Sequence, residues 1–264
     1  MPTRLGQNFL RNDKIVKKIV AAADLKADDF VLEIGPGRGI LTEELAKYAG
    51  KVLAIEIDEL LIEPLTKKFN SNKNVEIIHE NILNINLAEL IKQKFQDKNY
   101  KVIANIPYYI TSPIIRLFLE NENPPSEMIL MVQKEVAERI VAKPGQMSIL
   151  AISVQYYADA EILFEVGKEN FEPAPEVDSA VIRMSRITKI KEERIKTNDF
   201  FRIVKAGFSA KRKTLINNLS NSLHLDKTII EEKIKTVGLK PTVRAQELSV
   251  EDWKKLTALI KIES

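Results

Sequence analysis

The chain has 264 residues, 45% of them hydrophobic, enough for one large domain and a small one; having no cysteine excludes disulfides and thiolate metal sites, two histidines, His79 and His224, argue against a histidine-based one, and no metal is expected. The net charge of +3 is uneven: residues 188–264 carry 17 Lys and Arg against 10 Asp and Glu, leaving 23 basic and 27 acidic residues in 1–187, so a basic tail of +7 follows a body of −4 and favours a polyanionic partner. The N-terminus lacks a hydrophobic signal core and no apolar run approaches membrane-spanning length, which predicts a soluble, cytoplasmic protein with no membrane partner.

Asn12 or Asp13 can cap a first helix, whose apolar positions Ile15, Val16, Ile19, Val20 and Ala23 recur with a helical period. Strand and helix signals then alternate. Strands are predicted over 30–34, 52–57, 75–79, 102–106 and 128–132, with intervening helices over 40–49, up to about 69, 87–95 and 112–119. Such a βαβα rhythm predicts an α/β fold with a parallel, doubly wound sheet. A last helix over 149–157 and strands over 161–166 and 180–184 follow, the strands linked by the proline-rich stretch 171–176. From about Thr188 strand signals vanish and amphipathic helices remain, with helix starts at Asp226 and Ser249. The boundary falls near 187–196, which gives an α/β domain over 1–190 and a small, basic, all-helical domain over 191–264.

Residues that bear on chemistry gather at the predicted strand ends. Glu33-Ile34-Gly35-Pro36-Gly37-Arg38-Gly39 occupies the first strand-to-helix turn, where glycines let the backbone take positive φ and approach a ligand closely. A dinucleotide fingerprint would need glycine at position 40, which is Ile, so a hydride-transferring dehydrogenase fits poorly. Glu56 and Asp58 close the second strand about 20 residues further on, where an acid accepts ribose hydroxyls in nucleotide-binding folds. Alternation puts both on one face, so spacing does not choose between them. Asn81 closes the third strand and Asn105 the fourth. Four ligand-type residues at four successive strand ends converge on one crevice and predict a nucleoside cofactor.

Asn105-Ile106-Pro107-Tyr108 has a more particular chemistry. Asn offers a neutral oxygen, and Pro lacks an N–H and biases Ile106 toward an extended conformation, so the turn can present acceptors. An exocyclic amine with two N–H donors, such as that of adenine, fits such a surface, and Tyr108 supplies a flat face for a base. The plain alternative is an ordinary β-turn, in which Asn and Pro are common.

In combination these segments resemble the small-subunit ribosomal RNA adenine N6,N6-dimethyltransferases, the KsgA family. The likeness extends to Gly6-Gln7-Asn8-Phe9-Leu10, Ile55-Glu56-Ile57-Asp58, the run from Met131 to Ala137, Phe171-x-Pro173-x-Pro175-x-Val177-Asp178-Ser179 and Arg244-Ala245-Gln246-Glu247-Leu248, nearly the whole chain. It implies a class I methyltransferase fold and a site for S-adenosyl-L-methionine, with S-adenosyl-L-homocysteine as product. Asn8, Leu10, Gly35, Gly37, Glu56, Ile57, Asn81, Ile82 and Asn105 would line it, with Glu56 rather than Asp58 on the ribose. Asn81 departs from the Asp usual in the family.

The resemblance further implies methylation of two adjacent adenosines in the 3′-terminal hairpin loop of 16S ribosomal RNA, within the small subunit or its precursor, by a monomer. Asn105, Ile106 and Pro107 would hold the target amine, with Tyr108 and Phe171 sandwiching the base. Without the family pattern, Phe171 reads as a core aromatic beside a proline-rich turn. Lys211-Arg212-Lys213, placed to start a helix, and a second group of Arg4, Arg11, Lys14, Lys17 and Lys18 would meet phosphates. Two rivals share the pattern: a resistance-type methyltransferase of large-subunit RNA, and a non-catalytic RNA-binding assembly factor of the same fold.

Overall fold

A computed structural model describes residues 7–96, 98–188 and 197–260. Arg4, Gly6 and most of the predicted boundary segment 187–196 lie outside them. The chain divides into two compact units, Met1–Glu138 with Ala158–Lys189, and Arg139–Tyr157 with Ile190–Ser264.

The first unit is built on a seven-stranded sheet and a small two-stranded one. In chain order its elements are β1 (Phe9–Leu10), α1 (Asp13–Ala22), β2 (Phe30–Ile34), α2 (Ile40–Leu45), β3 (Lys51–Glu56), α3 (Glu59–Phe69), β4 (Val75–His79), α4 (Leu87–Phe95), β5 (Tyr100–Asn105), α5 (Thr111–Leu119), β6 (Glu127–Gln133) and α6 (Lys134–Ile140), which runs across the division between the units. After α7 (Ile149–Gln155) of the second unit come β7 (Asp159–Val166), β8 (Phe171–Glu172) and β9 (Ser179–Ser185). The large sheet has the order β4-β3-β2-β5-β6-β9-β7, parallel from β4 to β6. Central strands are near-continuously apolar because helices cover both faces, as in Phe30-Val31-Leu32-Glu33-Ile34 with only Glu33 polar. The order reverses between β2 and β5, so the crevice beyond Ile34 and Asn105 is where such a sheet binds ligands.

The sheet is not parallel throughout. β9 runs antiparallel to both β6 and β7. The chain returns from β7 to β9 without a crossover helix, and only such a crossover permits a parallel return. β1 pairs antiparallel with β8, Leu10 opposite Phe171. Two-residue strands are too short for a periodic signal, and β1, β8 and α6 were not predicted. The predicted helix over 40–49 stops at Leu45.

The second unit is helical: α7, α8 (Thr197–Gly207), α9 (Leu215–Leu223), α10 (Lys227–Thr236) and α11 (Val250–Leu259). Residues 139–157, assigned by sequence to the α/β domain, belong here. Tyr156 packs its ring 4.3 Å from that of Phe200, and the Gly145 and Met147 N–H groups both donate to the Gln246 carbonyl (2.8 and 3.1 Å). The segment Arg244–Leu248 therefore braces the 145–147 loop. A Cβ on Gly207 would overlap the buried Trp253 ring. Asp226 and Ser249 cap α10 and α11 as predicted, and Thr214 caps α9 directly after the exposed Lys211, Arg212 and Lys213.

Candidate active site

A cleft of about 260 Å3 opens at the carboxyl ends of β2, β3 and β5. It brings together every predicted cofactor residue, Asn8, Leu10, Gly35, Gly37, Glu56, Ile57, Asn81, Ile82 and Asn105, along with Ile106, Pro107 and Tyr108.

The glycine turn forms its floor. Gly35, Gly37 and Gly39 all take positive φ (66°, 59° and 73°), which side-chain-bearing residues rarely adopt. A Cβ on Gly37 would come within 3.0 Å of the Phe9 ring, so the turn packs directly against that ring and has no space for a side chain. Arg38 lays its guanidinium over the same ring, 4.8 Å from the Phe9 centroid.

Glu56 is 2% exposed, and its oxygens take the N–H groups of Gly37 (3.1 Å), Ile57 and Asp58 (2.9 Å each). It ties the glycine turn to the end of β3. Asp58 instead caps α3 through the Leu60 N–H (3.1 Å) and meets Gln7 at 3.4 Å. The strand ends at Glu56, so the alternation that equated the two acids does not reach Asp58.

Glu33 was read only as part of the glycine motif, yet it lines the cleft. It is 1% exposed, and its Oε2 has no hydrogen-bond partner; the neighbouring Thr42 hydroxyl is also unsatisfied. Burial pushes the Glu33 carboxyl up to about 8, with Thr42 opposing and the Glu56 charge adding to the rise. Alternation along β2 could have flagged it, since an acid amid buried apolar residues needs a reason.

Asn81 lines the cleft and makes an Asx turn, its Oδ1 accepting the Leu83 N–H at 3.0 Å, which leaves a second lone pair for another donor. Asn105 donates through Nδ2 to the Asn8 carbonyl at 3.5 Å, so Oδ1 is the amide atom left for a ligand. The following turn is rigid: Ile110 N–H donates to the Pro107 carbonyl (3.2 Å) and the Thr111 hydroxyl to the Tyr108 carbonyl (3.2 Å). The Tyr108 hydroxyl is 2.8 Å from Ser179 Oγ, and burial raises its pKa, so the ring is anchored and neutral.

Phe171 is the one predicted site residue absent from the cleft lining. It is 2% exposed and packs in the core with Leu10, Val166 and Val181. Pairing of β8 with β1 turns it inward, in keeping with the core-aromatic reading. In the predicted basic group, Arg11 pairs with Glu172 (3.6 Å) and Lys18 sits 3.9 Å over the Phe164 ring, while Lys14 and Lys17 are exposed on α1. Among the described residues no cluster of three or more His, Asp or Glu can hold a metal, and no helix is long and apolar enough to cross a membrane.

A switch-point cleft with a glycine turn, a buried acid at the end of β3 and an acceptor at the end of β5 defines a class I methyltransferase. Two solved structures share the fold over most of the chain. A dimethyladenosine transferase from Plasmodium falciparum is 28% identical, with TM-score 0.80, over 94% of this chain and 95% of that one. The 23S rRNA methyltransferase ErmE is 26% identical, with TM-score 0.75, over 96% and 99%. Relatives called ribosomal RNA small subunit methyltransferase A are closer in sequence: 46% identical in Dehalococcoides mccartyi (96% of this chain, 86% of the relative) and 41% in Clostridioides difficile (97% and 89%). The chain belongs to the ribosomal RNA adenine dimethylase family, whose model matches residues 1–261.

Proposed function

We infer that the protein transfers methyl groups from S-adenosyl-L-methionine to the N6 amines of two adjacent adenosines in the 3′-terminal hairpin loop of 16S ribosomal RNA, on the small subunit or its precursor, acting as a cytoplasmic monomer. The residues present fit that cofactor. Glu56 would take the ribose hydroxyls, the unpartnered Glu33 Oε2 suits an ammonium, and the positive φ of Gly35 and Gly37 keeps the turn free of side chains where the cofactor would lie. When bound, the cofactor supplies an electrophilic methyl on a sulfonium and leaves as S-adenosyl-L-homocysteine.

The observation that carries the reading is the orientation of Asn105. Asn105 and Ile106 both line the cleft, and with Nδ2 on the Asn8 side at 3.5 Å, Asn105 Oδ1 and the Ile106 carbonyl would accept the two N–H groups of an adenine amine. Such acceptors would turn the nitrogen lone pair out of conjugation with the ring. Positioning then supplies most of the rate, and no strong base is required because the proton can leave after transfer. Extruding the base costs a few kcal/mol, against roughly 1–3 kcal/mol from stacking on the anchored Tyr108. A monomethylated amine keeps one N–H for an acceptor; the dimethylated product keeps none and is released.

Incubation with radiolabelled methyl donor and unmethylated small or large subunits, followed by nucleoside mapping, tests the reading. Label is expected in dimethyladenosine of the small subunit. Label in the large subunit supports the resistance-type activity, and cofactor binding without label a non-catalytic factor. A finer test concerns Asn81→Asp. A charged acceptor strengthens a hydrogen bond by about 1 kcal/mol, so cofactor affinity measured by calorimetry should tighten about fivefold. Unchanged affinity would remove Asn81 from cofactor binding.

A further inference from the structure

We propose that Tyr109 is the stacking platform for the nucleotide adjacent to the target adenosine, and so helps the site act on neighbouring adenosines; this rests on the RNA-methylating reading above. Tyr109 lines the cleft and is 65% exposed. Its hydroxyl has no hydrogen-bond partner among the described residues, and its ring is in none of the aromatic contacts. A large aromatic held out at the rim of a cleft does nothing for the core, and apolar surface left in water is a cost unless a ligand covers it.

Geometry separates its role from that of Tyr108. Residues Tyr108–Ile110 form one 3₁₀ turn, in which successive side chains point about a third of a turn apart. Tyr108 is directed to Ser179 and half-buried; Tyr109 therefore cannot belong to the same aromatic wall. The Ile110–Pro107 and Thr111–Tyr108 hydrogen bonds fix its backbone one turn from Asn105, so little is lost in ordering it when a base stacks. Phe171, the other aromatic expected to meet RNA, is buried. Tyr109 is thus the exposed ring on the cleft lining. A base flanking the extruded adenine, itself unstacked by that extrusion, is the flat π-surface that would lie nearest the rim, and stacking on an aromatic suits any base.

The test compares wild type, Tyr109→Phe and Tyr109→Ala. Equilibrium binding uses a single-stranded oligoribonucleotide containing two adjacent adenosines, with or without an abasic site in place of one of them. Initial rates use unmethylated small subunits. Tyr109→Ala should weaken oligonucleotide binding and raise KM for the subunit roughly 5- to 150-fold, the range of one base stack, with cofactor affinity unchanged. Tyr109→Phe should behave as wild type, because the ring and not the hydroxyl carries the contact. The abasic site should weaken wild type by a similar factor and Tyr109→Ala hardly at all, since each change removes the same contact. Full additivity of the two changes, or an alanine variant with wild-type affinity and KM, overturns the proposal. If wild type binds RNA but methylates neither subunit, the enzymatic reading fails while the binding comparison still decides the role of Tyr109.

Discussion

Replacing Asn105 by Ala should reduce single-turnover methyl transfer by about 10²–10³-fold, the usual effect of removing one preorganised electrostatic contact from a reacting centre. Binding of the methyl donor should change little. Asn105 lies at the end of β5 on the cleft lining, and its Oδ1 makes no hydrogen bond among the described residues, so it is available to a substrate. The substitution removes the Asn8 contact as well, but at 3.5 Å and partly exposed that bond contributes little. Calorimetry with the donor alone, alongside single-turnover rates on unmethylated subunits, separates the two effects. Unchanged chemistry would take Asn105 out of the mechanism. A parallel loss of donor affinity would reassign it to the cofactor.

Glu33 should make both stability and donor binding depend on pH. Its folded-state pKa of about 8 lies above the ordinary value of 4.5 because burial disfavours the carboxylate. The folded protein therefore holds the proton more tightly than the unfolded chain. Stability from this group is greatest below 4.5, declines as pH rises toward 8 and levels off above it. The slope is at most 1.36 kcal/mol per pH unit and halves at the folded pKa, which gives a loss of about 2 kcal/mol between pH 6 and 8. Glu33→Gln, which is uncharged throughout, should flatten this decline in urea-denaturation midpoints.

Donor binding should move the other way. A cationic ligand next to Glu33 favours the carboxylate, so affinity should climb with pH, with a proton released on binding, until the donor's own ammonium deprotonates at about pH 8. Calorimetry in buffers of different ionisation enthalpy would detect that proton. Its absence, or a pH slope unaltered in Glu33→Gln, would place the ammonium elsewhere.

Much of this site was readable along the chain because its parts sit at strand ends, which local periodicity marks well. The predicted spans 30–34, 75–79 and 87–95 match β2, β4 and α4 residue for residue. Family resemblance then chose Glu56 over Asp58, and the hydrogen bonds show why: three backbone N–H groups converge on Glu56, while Asp58 serves as a helix cap. Less legible were β1 and β8, whose two residues each hold no period, and the placement of residues 139–157, whose helical pattern is the same whichever core it joins.

By itself, the order of residues determined the alternation of elements, the basic C-terminal segment and the set of ligand-type side chains delivered to one crevice, since each is a property of composition or of short-range spacing. Only tertiary structure decided which way those side chains face and in what electrical environment. Asn8 meets Asn105 across 97 positions, Glu33 loses its solvent, Phe171 is drawn into the core by pairing with β1, and Tyr109 is left at the rim. Burial and long-range hydrogen bonding depend on what the rest of the chain brings alongside, and neither is written in the neighbours of any one residue.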